Sequence, residues 1–362
     1  MTGHARLDAA SELLRSSIAQ RIFPAAVAEV GSASGSIWHS AFGTLSFDDG
    51  ADPAREDTIF DLASLTKPLA TTSLVLDLAS RGLMPLDTRI ASLIPEWSGA
   101  DRRDVTVQDL LEHAGGLSAR LLDQPPLDAR AFEHEICAMP LEHAPRTRAL
   151  YSDLGFILLA FACERRGDAP FPELVDTLLR VVLASGDGPG SASLMVAVPR
   201  EARMRTAPTQ PLPEDHRRGA RLVGEVHDNY AAALGGMAGH AGLFGTAGAV
   251  GAFARLVLRA ARGDTSLPSP FTPDTVVRAA TRSRVAGSSR ALGWDTMLPT
   301  SSCGSRLSPA AFGHVGFTGT SLWIDPSSDR YYVLLTNRVC DGGTSAQMQA
   351  VRRAFHDCVS TL

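Results

Sequence analysis

Lysine is nearly absent from this chain: of its 34 lysine and arginine residues, a single one, Lys67, is lysine. A general preference for arginine explains the scarcity, but not why one lysine survives at this position. Arginine keeps its proton in a protein, whereas burial tunes lysine into a base or nucleophile, so a proton-handling cation has to be lysine. The same scarcity excludes a phosphate-cradling G-x-x-x-x-G-K-[ST] loop, because Phe60-Asp61-Leu62-Ala63 ahead of Lys67 contains no glycine.

Other absences narrow the field further. The five cysteines (Cys137, Cys163, Cys303, Cys340 and Cys358) are scattered, odd in number and form no C-x-x-C pair, so they read as inert buried thiols. No run of about 18 apolar residues is free of charge, which excludes a membrane-spanning helix. Arg6, Asp8, Glu12, Arg15 and Arg21 interrupt any apolar signal core in the first 24 residues, so a cytoplasmic location is expected. With a net charge of -5 there is no basic field for nucleic acid or an anionic membrane, and a small molecule or short peptide is the expected partner. The pairs His227-Asp228 and His134-Glu135 lack the H-E-x-x-H spacing, so neither metal nor cofactor is expected. No G-x-S-x-G elbow occurs, which argues against an α/β-hydrolase.

What is present is an ordinary globular composition, 44% hydrophobic and 20% charged, over 362 residues, long enough for two lobes. Periodicity predicts an amphipathic helix over residues 6–22 and strands over 25–31 and 36–47. Helices follow at 66–81, 106–113, 129–138, 153–166, 171–184 and 247–262. Strands return at 312–317, 320–325 and 331–336, before a terminal helix at 344–360. This order predicts an α/β fold of the α+β kind, an antiparallel sheet built from both termini and flanked by helices, with an inserted mainly helical lobe. The division expected is 1–63 with 285–362 for the sheet lobe and 64–284 for the helical lobe, the active site lying at their junction. The arginines of the loop 199–224 (Arg200, Arg203, Arg205, Arg217, Arg218 and Arg221) read as a solvated surface.

The chemistry begins at Ser64-Leu65-Thr66-Lys67-Pro68. With a helix starting near Ser64, residues 64 and 67 share one face, and the hydroxyl gains an amine that can activate it. The helix N-terminus favours the negative charge that develops on attack. A second motif, Tyr151-Ser152-Asp153, opens the next apolar helix, and a third, His314-Val315-Gly316-Phe317-Thr318-Gly319-Thr320, lies on a strand whose glycines let a substrate approach the backbone. His113 and His240, in glycine-containing loops, read as turn residues, and Trp38, Trp97, Trp294 and Trp323 as core or cleft walls.

In this order the three motifs resemble those of the penicillin-recognising serine enzymes, which include class C β-lactamases, DD-carboxypeptidases, D-aminopeptidases and related esterases. Supporting matches are Leu110-Leu111-Glu112-His113-Ala114-Gly115-Gly116-Leu117, Gly242-Leu243-Phe244-Gly245-Thr246-Ala247 and Leu292-Gly293-Trp294, so the likeness spans about residues 20 to 360. The resemblance implies a β-lactamase/transpeptidase-like fold and an acyl-enzyme at Ser64. Lys67 would accept the proton, Tyr151 would share the proton network, and the backbone N–H groups of Ser64 and Phe317 would form the oxyanion hole.

Three departures from the family pattern bear on the substrate. Asp153 replaces the asparagine, placing an anion that raises the pKa of Lys67, shifts proton transfer toward Tyr151, or receives a substrate amine. His314 replaces the lysine of K-T-G with a group that titrates near neutrality, so activity is expected to vary between about pH 5.5 and 7.5. Val315 removes the hydroxyl that would bind a β-lactam carboxylate. Asp153, His314, Val315 and Gly316 are therefore the expected substrate contacts. The expected function is hydrolysis of a small ester, amide or D-amino-acid peptide with little β-lactamase activity; an acyltransferase and a non-catalytic binding protein are the alternatives.

Overall fold

The computed structural model describes residues 3–121, 125–184, 193–213, 215–217, 219–360 and 362. Its strands are β1 (Ala25–Ser32), β2 (Gly35–Gly43), β3 (Phe60–Asp61), β4 (Leu194–Met195), β5 (Phe244–Gly245), β6 (Asp295–Thr296), β7 (Phe312–Val315), β8 (Ser321–Asp325) and β9 (Arg330–Thr336). Its helices are α1 (Gly3–Ala19), α2 (Ser73–Ser80), α3 (Val107–Leu111), α4 (Ala129–Ala138), α5 (Asp153–Gly167), α6 (Phe171–Ala184), α7 (Asn229–Ala233), α8 (Ala247–Ala261), α9 (Pro273–Ala280) and α10 (Ser345–Val359).

The main sheet has six strands in the order β2-β1-β9-β8-β7-β6, antiparallel throughout. Strands from the two ends of the chain thus meet at β1 and β9, as the order of elements predicts. Strand residues alternate between two cores, because successive side chains leave opposite faces of a sheet. Ala26, Ala28, Val30, Tyr332 and Leu334 pack with Leu14 of α1 and Val351 and Phe355 of α10. Ala25, Val27, Tyr331, Val333 and Leu335 belong to the larger core that also holds Val250 and Phe253 of α8. Burial on both faces explains why β1 and β9 read as nearly continuous apolar runs. The exception is Glu29 of β1, compensated by the Tyr331 hydroxyl at 2.5 Å and Arg255 at 3.2 Å. Helix α8, although it lies inside the span 64–284, packs on β1 and β9 of the sheet.

Helices α4, α5 and α6 lie where periodicity places them, with α5 capped by Ser152, whose hydroxyl accepts the N–H of Gly155. Segment 66–81 departs from a plain helix. Ala63–Leu65 form a 3-10 turn, Lys67–Thr72 a π-helical turn, and only then does α2 begin. Pro68 withholds a backbone N–H from this stretch, and Thr66 and Thr71 are drawn sideways into hydrogen bonds with Leu243 N–H and the Gly239 carbonyl. Elements β3 to β6 are two residues long, too short to show a period. The loop 199–224 is not wholly a solvated surface: Arg217 is clamped on Asp215 and donates to the carbonyls of Val226 and His227. Arg218 lies outside the described residues. Four cysteines are buried and Cys358 is half-buried, all as free thiols. Among the described residues, no helix is long and apolar enough to cross a membrane.

The packing of α10 on the sheet gives a stability test. Phe355, fully buried there, should cost about 3–5 kcal/mol on substitution by alanine. Val277→Ala, on the exposed side of α9, should stay within about 0.5 kcal/mol, both read from urea denaturation.

Candidate active site

The turn that presents Ser64 is held from three sides. Ala63 sits at φ 48°, left-handed and costly for a residue with a side chain. Its N–H donates to Asp61 Oδ1 at 2.8 Å, while Asp61 Oδ2 accepts the N–H of His227 at 2.6 Å. Burial pushes the Asp61 carboxyl up to about 6, against the lowering effect of these two N–H donors. From the sheet side, Thr318 donates to the Asp61 carbonyl and Thr320 to the Leu62 carbonyl, at 2.8 and 3.0 Å. Gly316 is required at this junction, because a Cβ there would meet Thr320 Oγ1 at 2.1 Å and the Leu62 carbonyl at 2.6 Å.

Ser64 Oγ accepts two hydrogen bonds, from Lys67 Nζ at 3.0 Å and from the Tyr151 hydroxyl at 2.8 Å. Lys67 is fully buried and donates also to Asp153 Oδ1 at 2.8 Å and to the His240 carbonyl at 3.1 Å. Its ammonium lies 4.8 Å from the centre of the Tyr151 ring. Burial alone would lower the pKa of Lys67, but Asp153 and Tyr151 outweigh it and leave the group raised, a cation at rest. In turn, burial would raise the Asp153 carboxyl, but Lys67 and His240 more than reverse this and hold it ionised. The anion at 153 therefore acts on Lys67 in the direction the sequence suggests. Both its oxygens are already engaged, the second by Arg120 Nη1 at 3.2 Å.

The charge network extends beyond the three motifs. Arg120 also donates to Asp228 Oδ2 at 2.9 Å and Asn229 Oδ1 at 2.8 Å, and Asp228 Oδ1 lies 2.8 Å from His240 Nε2. Burial works against the Asp228 carboxylate, but His240 and Arg120 hold its pKa well below the usual range. Reading His240 as a plain turn residue and His227-Asp228 as an isolated pair misses this cluster. Asp228 carries a visible signal, an N-cap ahead of Asn-Tyr-Ala-Ala-Ala, but nothing local links it to Arg120. Asp153, Asp228 and His240 bring ligand atoms within 4.8 Å of one another, a grouping that sequence spacing hides. Their two carboxylates are already balanced by the ammonium of Lys67 and the guanidinium of Arg120.

A cleft of about 580 Å³ opens over these groups and is lined by Ser64, Tyr151, Asp153, His314, Val315 and Phe317, among others. The Gly316 carbonyl accepts Arg352 Nη2 at 2.6 Å, and since the C=O and N–H of a trans peptide point oppositely, the Phe317 N–H faces away from Arg352. His113 keeps the turn role expected of it, accepting the Ser152 N–H at 3.0 Å beneath the Tyr151 ring. His314 corrects an expectation. It is buried on β7 with Nδ1 2.9 Å from the Val315 carbonyl. Burial, aided by Lys67 and Arg290, pushes its pKa well below the ordinary imidazole value. The charged form is thus disfavoured in the range where the ring was expected to titrate.

A serine hydroxyl beside a buried lysine and a tyrosine, next to a sheet made by strands from both ends of the chain, is the arrangement of a β-lactamase/transpeptidase-like fold. The chain belongs to the beta-lactamase family, whose model matches residues 10–354. It is 30% identical over 310 residues to a putative D-alanyl-D-alanine carboxypeptidase of Escherichia coli K12, covering 79% of this chain and 70% of that protein. It is also 30% identical to esterase EstB of Burkholderia gladioli, over 97% of this chain and 95% of the esterase. Among solved structures, EstCE1, a hydrolase with promiscuous acyltransferase activity, superposes with a TM-score of 0.75 at 17% identity, covering 98% of this chain and 99% of that one. The relatives are hydrolases of the β-lactamase fold, named as esterase and carboxypeptidase.

The depressed pKa of His314 fixes the sign of a pH test. Because burial disfavours the charged ring, His314→Gln should leave the shape of the kcat/KM profile between about pH 5.5 and 7.5 unchanged. A wild-type inflection that disappears in the variant would contradict this.

Proposed function

We propose that the protein is a serine hydrolase that forms an acyl-enzyme at Ser64 on a small ester or amide. The observation that carries the reading is the convergence of Lys67 Nζ and the Tyr151 hydroxyl on Ser64 Oγ, within 3.0 and 2.8 Å, in a cleft. Because Lys67 is held as a cation, it serves as a fixed charge, and Tyr151 handles the proton. The Lys67 ammonium, 4.8 Å from the centre of the Tyr151 ring, is placed to stabilise negative charge on the tyrosine oxygen as it acts as the base. Ser64 Oγ attacks the acyl carbon and its proton passes to the Tyr151 oxygen. The carbonyl electron pair moves onto oxygen, stabilised by the Ser64 and Phe317 N–H groups. Collapse expels the leaving group, which takes the proton from Tyr151, and water then repeats the sequence on the ester.

Val315 lacks the hydroxyl that a β-lactam carboxylate would use, which supports a preference for simple esters over β-lactams. Acyl transfer is the second reading, favoured by the fold shared with EstCE1, in which an alcohol or amine replaces water at the acyl-enzyme. The partner is a small molecule or short peptide, and no cofactor enters any step.

Incubation with a p-nitrophenyl ester and a fluorophosphonate, followed by intact-mass measurement, should show an adduct in wild type and none in Ser64→Ala. Tyr151→Phe should lower the acylation rate by about 10² to 10⁴. Lys67→Arg should abolish acylation, because a planar guanidinium cannot reproduce the three directed bonds of the buried ammonium. Near-wild-type turnover in Lys67→Arg, or no adduct in wild type with any acyl donor, would overturn the mechanism.

A further inference from the structure

Arg120 stands in the wall of the cleft at a place suited to a positively charged substrate group. Its Nη1 bridges Asp153 Oδ2 and Asp228 Oδ2, its Nη2 reaches Asn229 Oδ1, and its guanidinium lies 4.0 Å from the centre of the Tyr230 ring. Two carboxylates, an amide oxygen and an aromatic face are the surroundings that bind ammonium and guanidinium groups. They lie close to the chemistry, since Asp153 is linked to the nucleophile through the single residue Lys67. Unlike Lys67, Arg120 comes from the rim of the cleft, with its side chain 37% exposed.

The rest of the cleft does not restore an anionic character. Arg290, Arg338 and Arg352 also line it. Arg290 lies over the Tyr151 ring, while Arg338 and Arg352 donate to the carbonyls of Phe317 and Gly316. Against these stands Asp295, the remaining carboxylate of the lining.

We propose that Arg120 is a specificity-determining residue: it occupies, from within the chain, the position that the α-ammonium group of an aminoacyl donor would take, so the protein selects acyl groups without a free amine. The inference rests on the acyl-enzyme reading of Ser64 and narrows its substrate class. An incoming ammonium would have to displace Arg120 from Asp153 and Asp228 or lie beside it as a like charge. Either outcome forfeits charge-assisted hydrogen bonds worth about tenfold to a hundredfold in kcat/KM. The expectation that Asp153 receives a substrate amine is thereby reversed: the aspartate is present, but its second oxygen is taken.

The test compares p-nitrophenyl propionate with the p-nitrophenyl ester of D-alanine, which differ by the α-ammonium, at a pH where that amine is charged. Wild type should favour the propionate by about tenfold or more. Arg120→Ala and Arg120→Gln should reverse the ratio, and Arg120→Lys, which keeps a cation in place, should retain the wild-type preference. A wild-type preference for the D-alanyl ester overturns the proposal without any variant, as does an equal loss on both esters in Arg120→Ala. Calorimetry with propylguanidinium gives a readout independent of turnover. Saturable one-to-one binding to folded Arg120→Ala is expected, with none to wild type or to Arg120→Ala carrying Asp228→Asn. If no ester acylates Ser64, the hydrolase reading fails by itself, and absence of propylguanidinium binding to the folded variants then overturns the role of Arg120 separately.

Discussion

The ion pair between Lys67 and Asp153 is the contact on which the rest of the site depends. Taking either charge out of water alone costs several kcal/mol, and the pair is tolerable because every donor of the ammonium has an acceptor. Those acceptors come from distant parts of the chain: Ser64 from the turn after β3, Asp153 from the start of α5, and the His240 carbonyl from the loop before β5. The ammonium is therefore the point where these segments are held in register. Asp153 is positioned in turn by α5, where Ser152 caps the helix and the Asp153 N–H donates to the Ala119 carbonyl. That segment also carries Arg120, so the backbone that holds Asp153 in place also positions the partner of its second oxygen.

A second set of constraints acts on the Ser64 turn from the opposite side. Asp61 ties Ala63 to His227, the residue before Asp228, while Thr318 and Thr320 tie the same turn to the loop after β7. The left-handed backbone at Ala63 is thus over-determined by hydrogen bonds, the condition under which strained geometry persists at functional positions. Asp61 also joins the Ser64 turn to the segment that carries Asp228. Its two oxygens hold Ala63, the residue before Ser64, and His227, the residue before Asp228.

Much of the architecture is legible in the sequence, because it is written in local patterns. The apolar runs of β1 and β9 and the amphipathic helices α4 and α6 each depend on residues a few positions apart. The three motifs are legible for the same reason, and the structure brings Ser64, Lys67, Tyr151 and Asp153 together. What escapes is whatever depends on partners far apart in the chain. Arg120 and Asp228 are 108 positions apart, and Lys67 and the His240 carbonyl 173. The state of His314 escapes too, since its neutrality comes from burial and from Lys67 and Arg290, none of which its own motif encodes. The π-helical turn at Lys67–Thr72 arises from Pro68 and from tertiary hydrogen bonds of the threonines beside it.

The pairing of β1 with β9 bears on how the chain is made. Ala25 N–H donates to the Asn337 side chain across 312 positions, and β1 cannot gain its inner neighbour until β9 has left the ribosome. Until then β1 has only β2 beside it, while the helices between 129 and 184 can form from local contacts as they emerge. The turn that presents Ser64 is bracketed by Thr318 and Thr320, so it acquires its geometry only after those residues have emerged. A chain arrested before these threonines holds the residues of the site without the site, and presents to whatever chaperone attends it an apolar strand open along the edge that β9 would pair.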